Sequence, residues 1–136
     1  MLRITREQSE LIVAHCLRGL PDEACGLLAG LAVEERVLAV YPTENLAHSA
    51  LVYTVDPKAH LRADREAEKN GSSIIGVFHS HTHTEAYPSP TDVAQAPDPT
   101  WHYVIVSLRA NAPSLRSYRI ANGDIQEEPV ELIERA

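Results

Sequence analysis

Residues 74–81, Ile74-Ile75-Gly76-Val77-Phe78-His79-Ser80-His81, read as a buried strand whose carboxyl end carries two histidines. A short apolar run that follows an Asn70-Gly71 turn signal is of strand length rather than helix length. Residues i and i+2 of a strand point to one face, so His79 and His81 can converge on a single ion. Neutral imidazole is a preferred zinc ligand, and a catalytic zinc site takes three protein ligands and leaves one position open. Asp92 is the candidate third ligand. It follows His81 by eleven residues, beyond a loop kinked by Pro88 and Pro90, near the start of a short turn or helix at 91–96. His83 continues the alternation, which leaves a set of 79, 81 and 83 geometrically open. The run Thr82-His83-Thr84-Glu85, however, reads as chain leaving the strand, and we expect His83 to be a loop residue beside the substrate path.

The flanking segments complete an α/β domain. A strand at Leu2–Ile4 leads into a helix capped by Thr5, with Gln8 closing a capping box. Leu11/Ile12, Cys16 and Leu20 recur at helical spacing as one buried stripe, and Gly19–Pro21 ends the helix. The small apolar residues of Cys25–Val33 suit a strand buried on both faces, and Val37–Tyr41 and Leu51–Val55 look like further strands. Asp56-Pro57 is a helix start, and Gly71 a plausible end. The tail predicts three strands, Tyr103–Leu108, Leu115–Ile120 and Ile125–Val130, the last two joined by an Asn122-Gly123 turn. No repeat, linker or charge block divides the chain. The expected fold is therefore a single mixed central β-sheet flanked by helices, in one domain spanning 1–136.

Composition narrows the function classes. The 136 residues are 44% hydrophobic and 23% charged, ordinary for a folded domain. No apolar run approaches the roughly 20 residues of a membrane span. Glu7, Gln8 and Glu10 interrupt any secretory signal, so we expect a cytoplasmic protein. Twelve Lys and Arg against nineteen Asp and Glu give a net charge of −7 with no basic run, which disfavours nucleic acid. Cys16 and Cys25 read as reduced, buried thiols, neither of them catalytic. His102 reads as a packed or hydrogen-bonded residue and Trp101 as one that closes the core. His15, His48 and His60 carry no pattern.

From His79 to Asp92 the segment is His-x-His, seven residues, Ser-x-x-Asp, with Ser89 as its serine. Upstream, Pro21-Asp22-Glu23-Ala24-Cys25-Gly26 offers an isolated glutamate. Together these resemble the signature of the JAMM (MPN+) zinc metallopeptidases, with all five key positions present. Thr84–Ser89, His102–Ser107 and Leu115–Ile120 are similar to the bacterial stand-alone branch of that family, and His83 departs from it. The resemblance implies one Zn2+ per chain held by His79, His81 and Asp92. It implies Glu23 as general base and acid, and Ser89 as a hydroxyl donor to the oxyanion. The implied substrate is a small ubiquitin-like sulfur carrier with a C-terminal Gly-Gly tail, cut after its last glycine, with cysteine as the expected product. A tail of that kind is suited to lie along an exposed strand edge. A general isopeptidase or tail-trimming peptidase of the same chemistry is the neighbouring alternative. A non-catalytic MPN interaction module is disfavoured by the intact set, and a DNA-linked branch by its different His-x-His surroundings and by the acidic charge.

Overall fold

The computed structural model describes residues 1–135; Ala136, the last position of the expected domain, lies outside them. The elements run β1 (Leu2–Thr5), α1 (Arg6–Gly19), β2 (Cys25–Leu31), β3 (Arg36–Thr43), α2 (Pro57–Lys69), β4 (Ser73–His81), α3 (Pro90–Ala94), β5 (His102–Ser107), β6 (Ser114–Ala121), β7 (Asp124–Glu128) and β8 (Val130–Ile133). The strands form one mixed sheet in the order β7-β6-β5-β4-β2-β3-β1-β8.

Local chemistry accounts for the helix ends. Thr5 Oγ1 accepts from the Gln8 N–H at 3.0 Å and the Gln8 side chain accepts from the Thr5 N–H at 2.9 Å, a closed capping box. Asp56 caps α2 by accepting from the Lys58 N–H, with Pro57 at its first turn. Asn122 and Gly123, with φ of 52° and 82°, form the two-residue β6–β7 turn, whose left-handed backbone matches strand twist.

A helix packs on each face of the sheet. On one face, Ile12 and Cys16 of α1 join Leu2, Ile4, Leu28, Phe78, Val104 and Val106. On the other, Ala63 of α2 joins Leu27, Val77, Tyr103, Ile105 and Tyr118. The α1 stripe is narrower than its spacing predicts. Leu11 and Leu20 are exposed, Leu20 because it already lies past the helix as its cap.

Two strand expectations change. Ile125–Val130 is not one strand: Pro129, which has no N–H to give a ladder, separates β7 from β8. Those two strands occupy opposite ends of the sheet order. Two peptide units span at most about 7.6 Å, so the sheet must curl enough to bring the end of β7 near the start of β8. The Leu2 N–H donates to the Pro129 carbonyl at 2.9 Å, and β8 runs parallel to β1. The predicted strand at Leu51–Val55 is also absent. That segment is irregular apart from one bridge between Asn45 and Val55, because side chains rather than a neighbouring strand take its backbone groups.

A buried polar cluster seals the curled sheet. Glu128 accepts from His102 Nδ1 at 2.6 Å and from Ser117 Oγ at 2.8 Å, and the Met1 amino nitrogen lies 3.0 Å from its other oxygen. Burial opposes the charge of Glu128, but these contacts outweigh it and hold the carboxyl down at about 2, against an ordinary 4.5. A depressed carboxyl contributes stability above pH 4.5 that is lost as pH falls through about 2. Glu128→Gln should therefore cost on the order of 2 kcal/mol at pH 7, with the deficit shrinking toward pH 2. Denaturant titrations followed by circular dichroism at several pH values measure this, and a deficit independent of pH would contradict it.

Candidate metal centre and hydrolytic site

β4 delivers the two histidines. Val77, His79 and His81 alternate onto the face covered by α2, while Phe78 and Ser80 face α1. The parallel partner of β4 is β5, with His81 opposite Ser107. Two parallel neighbours need a long crossover, and residues 82–101 provide it, carrying Ser89, α3 and Asp92 back over the strand ends.

Ser89-Pro90-Thr91-Asp92 closes a second capping box. Ser89 Oγ accepts from the Asp92 N–H at 3.1 Å, and Asp92 Oδ2 accepts from the Ser89 N–H at 2.9 Å. The same Oδ2 lies 2.9 Å from His81 Nε2 and 3.2 Å from His79 Nε2, and the two Nε2 atoms are 3.2 Å apart. Four ligands placed tetrahedrally 2.0–2.1 Å from zinc stand about 3.3 Å from one another, so this triangle has the dimensions of three zinc ligands. His81 Nδ1 is 2.8 Å from the Glu85 carbonyl, which can only accept. Nδ1 therefore carries the proton, and in the neutral ring the Nε2 lone pair faces the triangle. The residues fit a tetrahedral zinc.

Charge is arranged to match. Burial disfavours the ionised Asp92, yet hydrogen bonds from His79 and His81 overcome it and hold the carboxyl far below the usual carboxylate range. Burial pulls His79 down toward the neutral, ligating form. Burial also acts downward on His81, but Asp92 and the Glu85 carbonyl outweigh it and raise that ring.

Glu23 reaches the same place by the β2–β4 ladder. Cys25 pairs with His79. One step on, the Ser80 N–H donates to the Ala24 carbonyl at 3.0 Å and the Ala24 N–H to Ser80 Oγ at 2.8 Å. Glu23 follows at once, just past the end of the ladder, close enough for the charges of His81 and Asp92 to act on its carboxyl. Glu23 is 5% exposed and its Oε1 has no hydrogen-bond partner. Burial pushes its carboxyl up to about 7, with His81 drawing it down and Asp92 adding to the rise.

Other expectations resolve simply. His83 is exposed in the loop, away from the ligand group. Burial pushes the Cys16 thiol up to about 12 and the Cys25 thiol up as well, so neither is a thiolate at neutral pH. Trp101 is only half-buried: it packs on the core and, with Leu27, Tyr53, Val77 and Tyr103, lines a cavity of about 280 Å³. Sequence reasoning missed Tyr53, whose ring stacks on His79 at 4.2 Å and 19°. It also missed Ser80, and the capping role of Ser89, which Ser-Pro-x-Asp spells out as N-cap, N1 proline and N3 acid.

The sequence matches the model of the prokaryotic homologs of the JAB domain over residues 5–121. It is 42% identical over 136 residues to the CysO-cysteine peptidase of Mycobacterium tuberculosis, covering 99% of this chain and 93% of that one. It is 39% identical over 97 residues to a probable TtuB-protein conjugate cleaving protease of Thermus thermophilus, covering 71% and 64%. Among solved structures, protein DSY2949 of Desulfitobacterium hafniense superposes with a TM-score of 0.91 at 38% identity, covering 99% and 94%.

Asp92→Asn should strip zinc from the purified protein, because the substitution removes the charge at the meeting point of the triangle, whereas His83→Ala should leave zinc content unchanged. Elemental analysis of both variants after dialysis checks the ligand set, and the reverse pattern would refute it.

Proposed function

Because the chain belongs to the family of prokaryotic homologs of the JAB domain, we propose that it is a zinc-dependent peptidase acting on a small ubiquitin-like sulfur carrier. It hydrolyses the amide after the carrier's C-terminal glycine and releases cysteine. The observation that carries this reading is the His79–His81–Asp92 triangle with an unpartnered, buried Glu23 beside it. The released group follows the CysO-cysteine peptidase, which this chain matches along almost the full length of both. We read residues 1–136 as one catalytic unit working in the cytoplasm.

His79, His81 and Asp92 would hold the zinc, which would supply a Lewis acid and make the attacking water more acidic. Glu23 does the proton work. With its carboxyl near 7, it takes a proton from the attacking water and passes it to the leaving amine. Its buried Oε1 makes no competing hydrogen bond that must first break. Ser89 Oγ already accepts from the Asp92 N–H, which leaves its hydroxyl hydrogen to donate to the oxyanion as the carbonyl carbon becomes tetrahedral. Asp92 acts as its anion, with the Ser89 N–H donating to its Oδ2. The Glu85 carbonyl keeps the His81 ring oriented.

Purified protein incubated with a carrier–cysteine adduct should release intact carrier and free cysteine, read by mass spectrometry. It should do so faster than it cleaves a carrier–lysine isopeptide. Inertness toward both adducts at full zinc loading would sink the proposal. Faster cleavage of the lysine adduct would instead place this chain with conjugate-cleaving relatives such as the Thermus protein. Glu23→Ala should lower the rate by about 10³-fold, within the range of a lost general acid–base, with zinc still near one per chain. Loss of zinc in that variant would make Glu23 a ligand.

A further inference from the structure

Asn45 lies in the connection between β3 and α2, is 7% exposed, and carries no role in the hydrolysis as described so far. Its carboxamide is fully used. Nδ2 donates to the Glu23 carbonyl at 2.9 Å and to the Val52 carbonyl at 3.0 Å. Oδ1 accepts from the Ala47 N–H at 3.0 Å and from the Thr54 N–H at 2.9 Å. Two donors and two acceptor sites are all a primary amide offers. One side chain thus ties Glu23 to both limbs of the segment 45–55.

The same segment meets the site at three further points. The Glu23 N–H donates to the Ser49 carbonyl at 2.8 Å. Thr82 Oγ1, just past His81, donates to the Ala50 carbonyl at 3.3 Å. Tyr53 stacks on the His79 ring. Leu51–Val55 is irregular rather than a strand because these side chains take its backbone groups: the Leu51 and Val52 N–H groups donate to Ser49 Oγ, and the Thr54 N–H to Asn45. A fully satisfied buried amide specifies one conformation of the loop around it.

Glu23 needs such an external hold. It lies outside β2, and its Oε1 touches no donor. Its carboxylate is therefore aimed chiefly by where its backbone is fixed, by Asn45 on the carbonyl and Ser49 on the N–H. The three ligands have no such dependence, since they sit on β4 and α3.

We infer that Asn45 is a positioning residue for the hydrolytic site: its carboxamide fixes the backbone of Glu23 and locks the 45–55 loop that lays Tyr53 over His79. This rests on the proposed hydrolysis and adds to it a residue that touches neither substrate nor metal. A displacement of about 1 Å in a reacting group can cost a rate factor of about 10², and that is the scale expected on losing the tether.

The test uses Asn45→Ala and Asn45→Asp, with kcat and KM measured on the carrier–cysteine adduct alongside zinc content. Asn45→Asp keeps the size and the acceptor for Ala47 and Thr54 but loses both donors, so it carries the test should Asn45→Ala not fold. The expected result is a 10- to 100-fold fall in kcat that exceeds any rise in KM, with zinc still near one per chain. A kcat within twofold of the unsubstituted protein, a loss carried by KM, or loss of zinc would each overturn the inference. Amide hydrogen exchange reads the same tether without catalysis. The Glu23 and Thr54 amides should exchange at least tenfold faster in the variants while those of β4 stay protected, and unchanged exchange would overturn the inference even if the protein proved inert toward every adduct. Inertness of the unsubstituted protein would count against the hydrolysis alone.

Discussion

The register between β2 and β4 is the constraint on which the site depends. Side chains alternate with a period of two, so a slip of one residue would carry a whole strand's side chains to the opposite face. Glu23 would then point toward the α1 core, and Ala24 would stand opposite His81. Ser80, the residue between the two histidines, guards against that slip. It is fully buried on the α1 side, donates its N–H to the Ala24 carbonyl and accepts the Ala24 N–H on its hydroxyl. The middle position of His-x-His is thus a lock on the register. Its side chain holds the ladder together where the regular backbone pairing with β2 ends, one step before Glu23.

Two carboxylates in the site are driven in opposite directions by their surroundings. Both are buried, and burial alone would raise both. Asp92 receives two imidazoles and the Ser89 N–H and is held ionised, while Glu23 receives no donor at Oε1 and rises to about 7. Environments that push a pair apart in this way suit the roles proposed for them, Glu23 as acid–base group and Asp92 as permanent anion. The difference comes from hydrogen-bond supply rather than depth. It also bears on why Asp92 sits in a capping box: a helix N-terminus provides a backbone donor that a strand ladder would have used internally.

Much of this was legible in the sequence where the chemistry is local. Thr5 with Gln8, Asp56 with Pro57, and Asn122 with Gly123 each act within a few residues, and each appears as read. The convergence of His79 and His81 follows from strand periodicity alone. What could not be read depends on partners distant in sequence. Leu51–Val55 has the composition of a strand, but Asn45 and Ser49 satisfy its backbone groups without a neighbouring strand. Ile125–Val130 alternates well enough to pass for one strand, yet Pro129 divides it because β8 is wanted beside β1, at the other end of the sheet. The Asx-type bond from Ala47 to Asn45 was readable as a turn. Its reach to Glu23, 22 residues upstream, was not.

The sheet separates its two demanding polar clusters along β5. His102 opens that strand and takes part in the closure with Glu128; Ser107 ends it beside His81. Five residues at about 3.3 Å each put the two poles roughly 16 Å apart. Curling the sheet brings charged groups together at one end, where they neutralise one another, and leaves the other end free for the crossover to deliver Asp92. β7 and β8 stay the two edge strands of the order, and the short link through Pro129 could not join them across a flat sheet. The two clusters share β5, which pairs along its whole length with β4, the strand that carries both histidines.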